Sequence, residues 1–187
     1  TDYVRLGSRH VKIIISIYQI EGKWGMVLQL SNEDIIALLQ YSFVRIDGAW
    51  FLALAKSYGL ETAWNADVEA WKQFSYLFGK KLRQEHIKEP VWPESFLEAM
   101  EILSKVLKIE GRKITQEDDR IIVRVTECET QKAIAKANVA DCGIVTVHTY
   151  QGLVQGLFDK EVAVAVEHTQ NLNHGDPCCE VVIKRSR

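Results

Sequence analysis

The spacing of apolar residues changes at Gly111, and that change constrains the fold more than any other feature of the chain. Before Gly111 the apolar side chains recur every three or four positions, as on a helix with one buried face; after it they alternate, as on a half-buried strand. A chain that carries the two patterns largely in blocks is directed to an α+β arrangement, with helices packed on an antiparallel sheet.

The helical blocks have recognisable ends. Ser31 offers a capping hydroxyl with Glu33 and Asp34 in the first turn, and Ile35, Leu38, Leu39, Phe43, Ile46, Trp50 and Leu54 follow at helical spacing up to Gly59, a C-cap candidate. A second helix is expected from about Glu61 to His86, with Trp64, Val68, Trp71, Phe74, Phe78 and Leu82 on one stripe. Pro90 and Pro93 end it. Pro93 suits the first position of a third helix reaching about Lys108, with Phe96, Met100, Leu103 and Leu107 inward. Lys113–Gln116 and Arg120–Thr126 then read as a hairpin, 129–138 and the stretch from Asp141 to Phe158 as helices, and Glu161–Glu167 with Cys179–Lys184 as a second hairpin.

With 187 residues, 47% of them apolar, the chain is long enough for one ordinary core. The run Val11–Ile20 is β-branched, too short to span a bilayer and interrupted by Ser16 and Gln19, so a strand is expected there rather than a signal sequence. Met26 is an alternative initiator. The expected division is therefore an N-terminal extension over 1–25 and one domain over 26–187. A net charge of −2 with scattered Lys and Arg lacks the basic footprint of a nucleic-acid binder. Four cysteines at 128, 142, 178 and 179 match no disulfide framework, and a reduced, cytoplasmic setting is expected.

Three chemistries deserve weighing. Strand ends and helix starts gather at one end of a sheet, so Cys128, Cys142, Cys179 and either His168 or His174 are a candidate zinc set; the plain alternative is that each thiol is a small buried hydrophobe. Cys142, just after Asp141 at a helix start, is the better nucleophile, with His168 as its candidate base. Alternatively, Cys142 merely opens a helix. The third chemistry is binding: Trp50, Phe51 and Trp71 belong to an aromatic-rich helix pair that could line an apolar cavity, or could simply be core. Asp47 in that stripe is costly to bury unless paired or used.

The C-terminal segment "VAVEHTQNLNHGDPCCEVVIKR" resembles the closing hairpin of the 4-vinyl reductase type small-molecule-binding domain, a predicted hydrocarbon-binding domain, and is similar to the end of the L-2-amino-thiazoline-4-carboxylate hydrolase family. "RIDGAWFLALAKSYGLETAWNADVEAW" and "VTECETQKA", with Cys128 and Gln131, resemble a bacterial and archaeal family of unknown function related to those hydrolases. The resemblance covers about Leu30 to Arg187. It implies a fold shared in outline with haem-based nitric-oxide sensors and vesicle-tethering components, a ligand site that includes Cys128 and Gln131, and pairing of two copies through helices. Where those relatives carry further cysteines this chain has Asn171 and the segment Val166–Gln170, which removes at least one ligand from any metal site they share.

The combined expectation is a cytoplasmic, homodimeric α+β protein that binds an apolar or amphipathic small molecule through Asp47, Trp50, Phe51, Trp71, Cys128 and Gln131. No nucleic acid or membrane partner is expected. Hydrolysis of a cyclic C–N or C–S bond and a purely structural or interaction module are the alternatives.

Overall fold

The computed structural model describes residues 30–109, 111–128, 131, 132, 135, 142–159 and 161–186. The expectations for residues 1–25, for Met26, for most of 129–138 and for Asp141 lie outside them.

Within the described chain, α1 runs Asn32–Tyr58, α2 Leu60–Glu85 and α3 Glu94–Leu107; β1 (Arg112–Glu117) and β2 (Arg120–Val125) follow, then α4 (Gly143–Phe158), β3 (Val164–Gln170), a short 3-10 turn (Leu172–His174) and β4 (Cys179–Arg185). The N-terminus of α1 is a full capping box: Asp34 N–H donates to Ser31 Oγ at 3.0 Å, and Ser31 N–H donates to Asp34 Oδ2 at 3.0 Å. Pro93 stands one place earlier than expected, as the N-cap of α3 rather than its first residue. Gly111 does not end α3 either. Lys108 closes it in the left-handed conformation, and Gly111, at φ 68°, turns the chain into β1.

The four strands form one antiparallel sheet in the order β1-β2-β4-β3, so the two hairpins meet along β2 and β4. Directly paired residues share a face, and Ile114, Val123 and Val181 form one inward row beside Ile121 and Ile183. Against that face lie Phe96, Met100 and Leu103 of α3 and Leu153, Val154 and Leu157 of α4, all buried in one cluster. A helix that is apolar around most of its circumference must be covered on both sides. That is the position of α4, which has the sheet on one side and α2 on the other.

The α2 to α4 contact is unusually close because small residues face each other. A Cβ on Gly156 would collide with the Tyr76 carbonyl oxygen, one on Gly152 with the Ser75 hydroxyl, and one on Gly79 would stand 2.5 Å from the Leu153 carbonyl oxygen. The outermost element, α1, differs. It rests on α2 and touches α3 through a hydrogen bond from Gln40 Nε2 to the Lys105 carbonyl oxygen at 2.7 Å, yet none of its 27 residues is fully buried. Ile36, Leu39, Tyr41, Ile46 and Leu52 are all exposed on it. Among the described helices it alone is long and apolar enough to cross a membrane, by length and composition.

Candidate functional site

The residues singled out from the sequence fall into two places. Asp47 and Phe51 lie on the face of α1 that meets α2, where rings interlock: Phe43 packs edge-on against Trp71 at 6.1 Å, and Phe51 edge-on against Trp64 at 6.1 Å. Trp50 lies elsewhere on α1, 65% exposed. None of Asp47, Trp50, Phe51 and Trp71 lines either of the two described cavities. Rings on the two facing stripes pack against each other there.

Asp67, which with Trp71 belongs to the motif that carries the family resemblance, was not expected as a site residue, although its spacing of four from Trp71 places both on the α2 face that meets Asp47. Burial raises the Asp47 carboxyl, an effect partly offset by the Trp71 indole N–H that faces it. Asp67 is pushed up to about 6, first by burial and then by the nearby Asp47 charge. A carboxyl held above its ordinary value makes the folded state bind the proton more tightly. Its stabilising contribution is complete below about pH 4 and is lost as the pH rises through 6. Asp67→Asn should therefore stabilise the protein at pH 7 by on the order of 1 kcal/mol, after allowance for solvent screening at a half-exposed group. It should also flatten the fall in melting temperature between pH 4 and 6, and an unchanged pH profile in the variant would count against this reading of the pair.

The second place is the end of the sheet near the start of α4. Cys142 is the N-cap of α4 rather than its first residue, and makes no side-chain capping bond. Asn173 joins the parts: its Nδ2 donates to Cys142 Sγ at 3.8 Å, and its Oδ1 accepts from Gln131 Nε2 at 2.6 Å. Cys128 Sγ accepts from the Gln131 N–H at 3.3 Å, and Cys179 Sγ from the Leu172 N–H at 3.5 Å. Cys178 is buried and donates to Gln170 Oε1 at 3.0 Å, so the two neighbouring thiols have separate surroundings.

Among the described residues no group of three or more His, Cys, Asp or Glu is placed to hold a metal ion, the expected set of Cys128, Cys142, Cys179 and His168 or His174 included. Amides stand among Cys128, Cys142 and Cys179, each of which accepts from a different N–H donor. Cys142 and His168, the pair expected for nucleophilic catalysis, stand at the N-cap of α4 and in β3.

His168 instead lines a cavity of about 320 Å³. Gly143, Ile144 and Val147 of α4 form one wall, and His168, His174 and Asp176 contribute from β3 and the turn after it. Asp176 holds that turn, because its Oδ2 accepts the Asn171 N–H at 2.7 Å. The second described cavity, about 580 Å³, is a groove beside α2 lined by Glu69, Lys72, Gln73 and Tyr76 with Gln155.

The model of a family described as "Family of unknown function (DUF6125)" matches residues 28–173. No curated protein matches the chain. Among solved structures, it is similar to subunit 3 of the trafficking protein particle complex from Naegleria fowleri, covalently bound to palmitic acid: 13% identity, 81% of this chain and 97% of the other covered, TM-score 0.46. It is similar also to the phenol-responsive sensory domain of the transcription activator PoxR with phenol: 12% identity, 88% of this chain and 78% of the other, TM-score 0.48.

Proposed function

The chain belongs to DUF6125, a family of unknown function, and on that premise we propose that it is a cytoplasmic protein that binds a small apolar or amphipathic molecule. The observation that carries this reading is the 320 Å³ cavity at the start of α4, where aliphatic Ile144 and Val147 face His168, His174 and Asp176. Its volume lies within the range of small-molecule sites, and a few polar groups on an apolar wall are what orients a ligand in such sites. The resemblance to vinyl-reductase-type and thiazoline-hydrolase-like proteins points the same way.

The test is a thermal-shift screen of aromatic and aliphatic acids, alcohols and phenols against wild type and His168→Ala. A ligand present at a hundred times its dissociation constant adds ~2.7 kcal/mol, or a rise of ~5–11 °C for a chain of this size. His168→Ala should lose most of that shift while keeping the unliganded melting temperature. A wild type that responds to nothing in the screen leaves the small-molecule reading without support, and a purely structural module becomes the better account.

We further propose that the outer face of α1 is covered by a second copy of this chain. Ile36, Leu39, Ile46, Trp50 and Leu52, each more than half exposed, leave roughly 650 Å² of surface on one helix, above the ~300–600 Å² of the largest patch usual on a monomer and approaching the ~800 Å² each partner gives a standard interface. Lipid is the poorer occupant, since a bilayer-spanning α1 would carry Arg45 and Asp47 at its midpoint, where charges are most costly. Sedimentation should give twice the chain mass at micromolar concentration, and Leu39→Glu should give the monomer mass without loss of fold. A monomeric wild type, or one that binds neutral lipid vesicles as a monomer, would overturn the dimer.

A further inference from the structure

The 3-10 turn between β3 and β4 is tied to other parts of the chain through sulfur. Within the turn, the His174 N–H donates to the Asn171 carbonyl oxygen at 2.9 Å and the Asn173 N–H to Asn171 Oδ1 at 2.9 Å. Outward from Leu172 and Asn173 run three bonds among the described residues, and each ends on a thiol or one amide away from one. The Leu172 N–H donates to Cys179 Sγ at the start of β4, and Asn173 Nδ2 donates to Cys142 Sγ at the N-cap of α4. Asn173 Oδ1 accepts from Gln131, whose own N–H donates to Cys128 Sγ. Sulfur is a weak acceptor, so this clasp consists of weak bonds that need unsubstituted thiols.

The clasp holds a wall of the cavity. Asn171, His174 and Asp176 line it from this turn, and Gly143 and Ile144, the two residues after Cys142, line it from α4. Solvent reaches the clasp as well: Cys128, Cys142 and Cys179 are all partly exposed. Cys178 differs, since it is 8% exposed and donates to Gln170 Oε1. The four thiols therefore divide into three that reagents can reach and one that packing protects.

We propose that this thiol cluster is a site of reversible modification by small disulfides, with Cys142 as the point of attack, and that the modification opens the turn and weakens the cavity. Cys142 stands at the start of a 16-residue helix and accepts from the Asn173 amide, and both favour the thiolate, which is the nucleophile. That thiolate attacks one sulfur of oxidised glutathione. A new S–S bond forms as the old one breaks, and the departing glutathione takes up the proton that Cys142 lost. Cys142 is thereby oxidised to the mixed disulfide, and one glutathione is reduced to the free thiol. The space at Cys142 Sγ is already occupied by the Asn173 amide at 3.8 Å, so a tripeptide joined to that sulfur displaces Asn173 and with it the turn. The effect on a ligand rests on the small-molecule reading above, whereas the chemistry at Cys142 stands without it.

The experiment incubates the full chain with oxidised glutathione, digests it without reduction and follows the adduct at each cysteine by mass spectrometry. Cys142 should be modified at least about tenfold faster than Cys178, and dithiothreitol should remove the adduct. Hydrogen exchange over residues 171–176 should rise in the adduct and return after reduction. Cys142→Ser keeps an acceptor for Asn173 but forms no disulfide, so its turn should exchange at one rate with and without oxidised glutathione. Any hit from the thermal-shift screen should lose its shift in modified wild type and keep it in treated Cys142→Ser. Labelling of Cys142 no faster than that of Cys178, or slower than that of Cys128 or Cys179, would overturn the assignment, and an adduct at Cys142 with unchanged exchange over 171–176 would overturn control of the cavity. A modified Cys142 and a loosened turn in a protein that responds to no ligand would sustain the thiol site and count against the small-molecule reading alone.

Discussion

Replacing Gly156 by alanine should lower stability by about 3 kcal/mol or more, a fall of ~6–12 °C in melting temperature for a chain of this length. A single methyl has that effect because of what it meets: the Tyr76 carbonyl oxygen and the Lys80 backbone nitrogen, fixed parts of α2 that cannot rotate away as a side chain would. The helices would have to separate, and α4 is the layer that touches both α2 and the sheet. Gly48→Ala is the control. It lies in exposed α1 with nothing within 4 Å of the added methyl, so the change should stabilise by up to ~1 kcal/mol through helix propensity. Equal effects of the two substitutions in a denaturant titration would contradict the close crossing of α2 and α4.

Truncating Phe96 to alanine should cost about 3–5 kcal/mol, the range for removing a fully buried aromatic ring. Phe96 is inaccessible to solvent in α3 and stacks on Trp92, with ring centroids 5.3 Å apart and 22° between planes. Trp92 also meets Phe158 edge-on at 5.9 Å, so loss of the Phe96 ring leaves a void bordered by both α3 and the end of α4. The check is a shift in denaturation midpoint with the slope unchanged, accompanied by altered Trp92 fluorescence. A loss below 1 kcal/mol would show that neighbouring side chains collapse into the space. Trp50→Ala provides the contrast, since Trp50 is exposed on α1 and should alter self-association far more than folding.

The order and type of the elements were legible in the sequence because they follow from local patterns: the three-and-four spacing from Ile35 to Leu107, the alternation beyond Gly111, and the cap at Ser31 with its acids. The Glu117-Asp118-Asp119-Arg120 turn likewise carried its hairpin, with Glu117 paired to Arg120 in β1 and β2. Boundaries shifted where a neighbouring residue took the terminal role, as Pro93 and Lys108 did at the ends of α3.

Tertiary structure alone decided which faces meet. Period identifies an apolar stripe but not its partner, so the aromatic stripe of α2 read equally well as a cavity wall or as a packing surface; α1 filled it with Phe43 and Phe51. The coupling of Asp67 to Asp47 emerged only when the two were placed opposite each other, because mutual repulsion depends on distance through space. Arg112, Val125 and Cys179, far apart along the chain, are brought into one row across the sheet by strand register. The cysteines were visible as residue types. The amides of Asn173 and Gln131 that stand among them are placed there by hydrogen bonds between segments more than thirty residues apart.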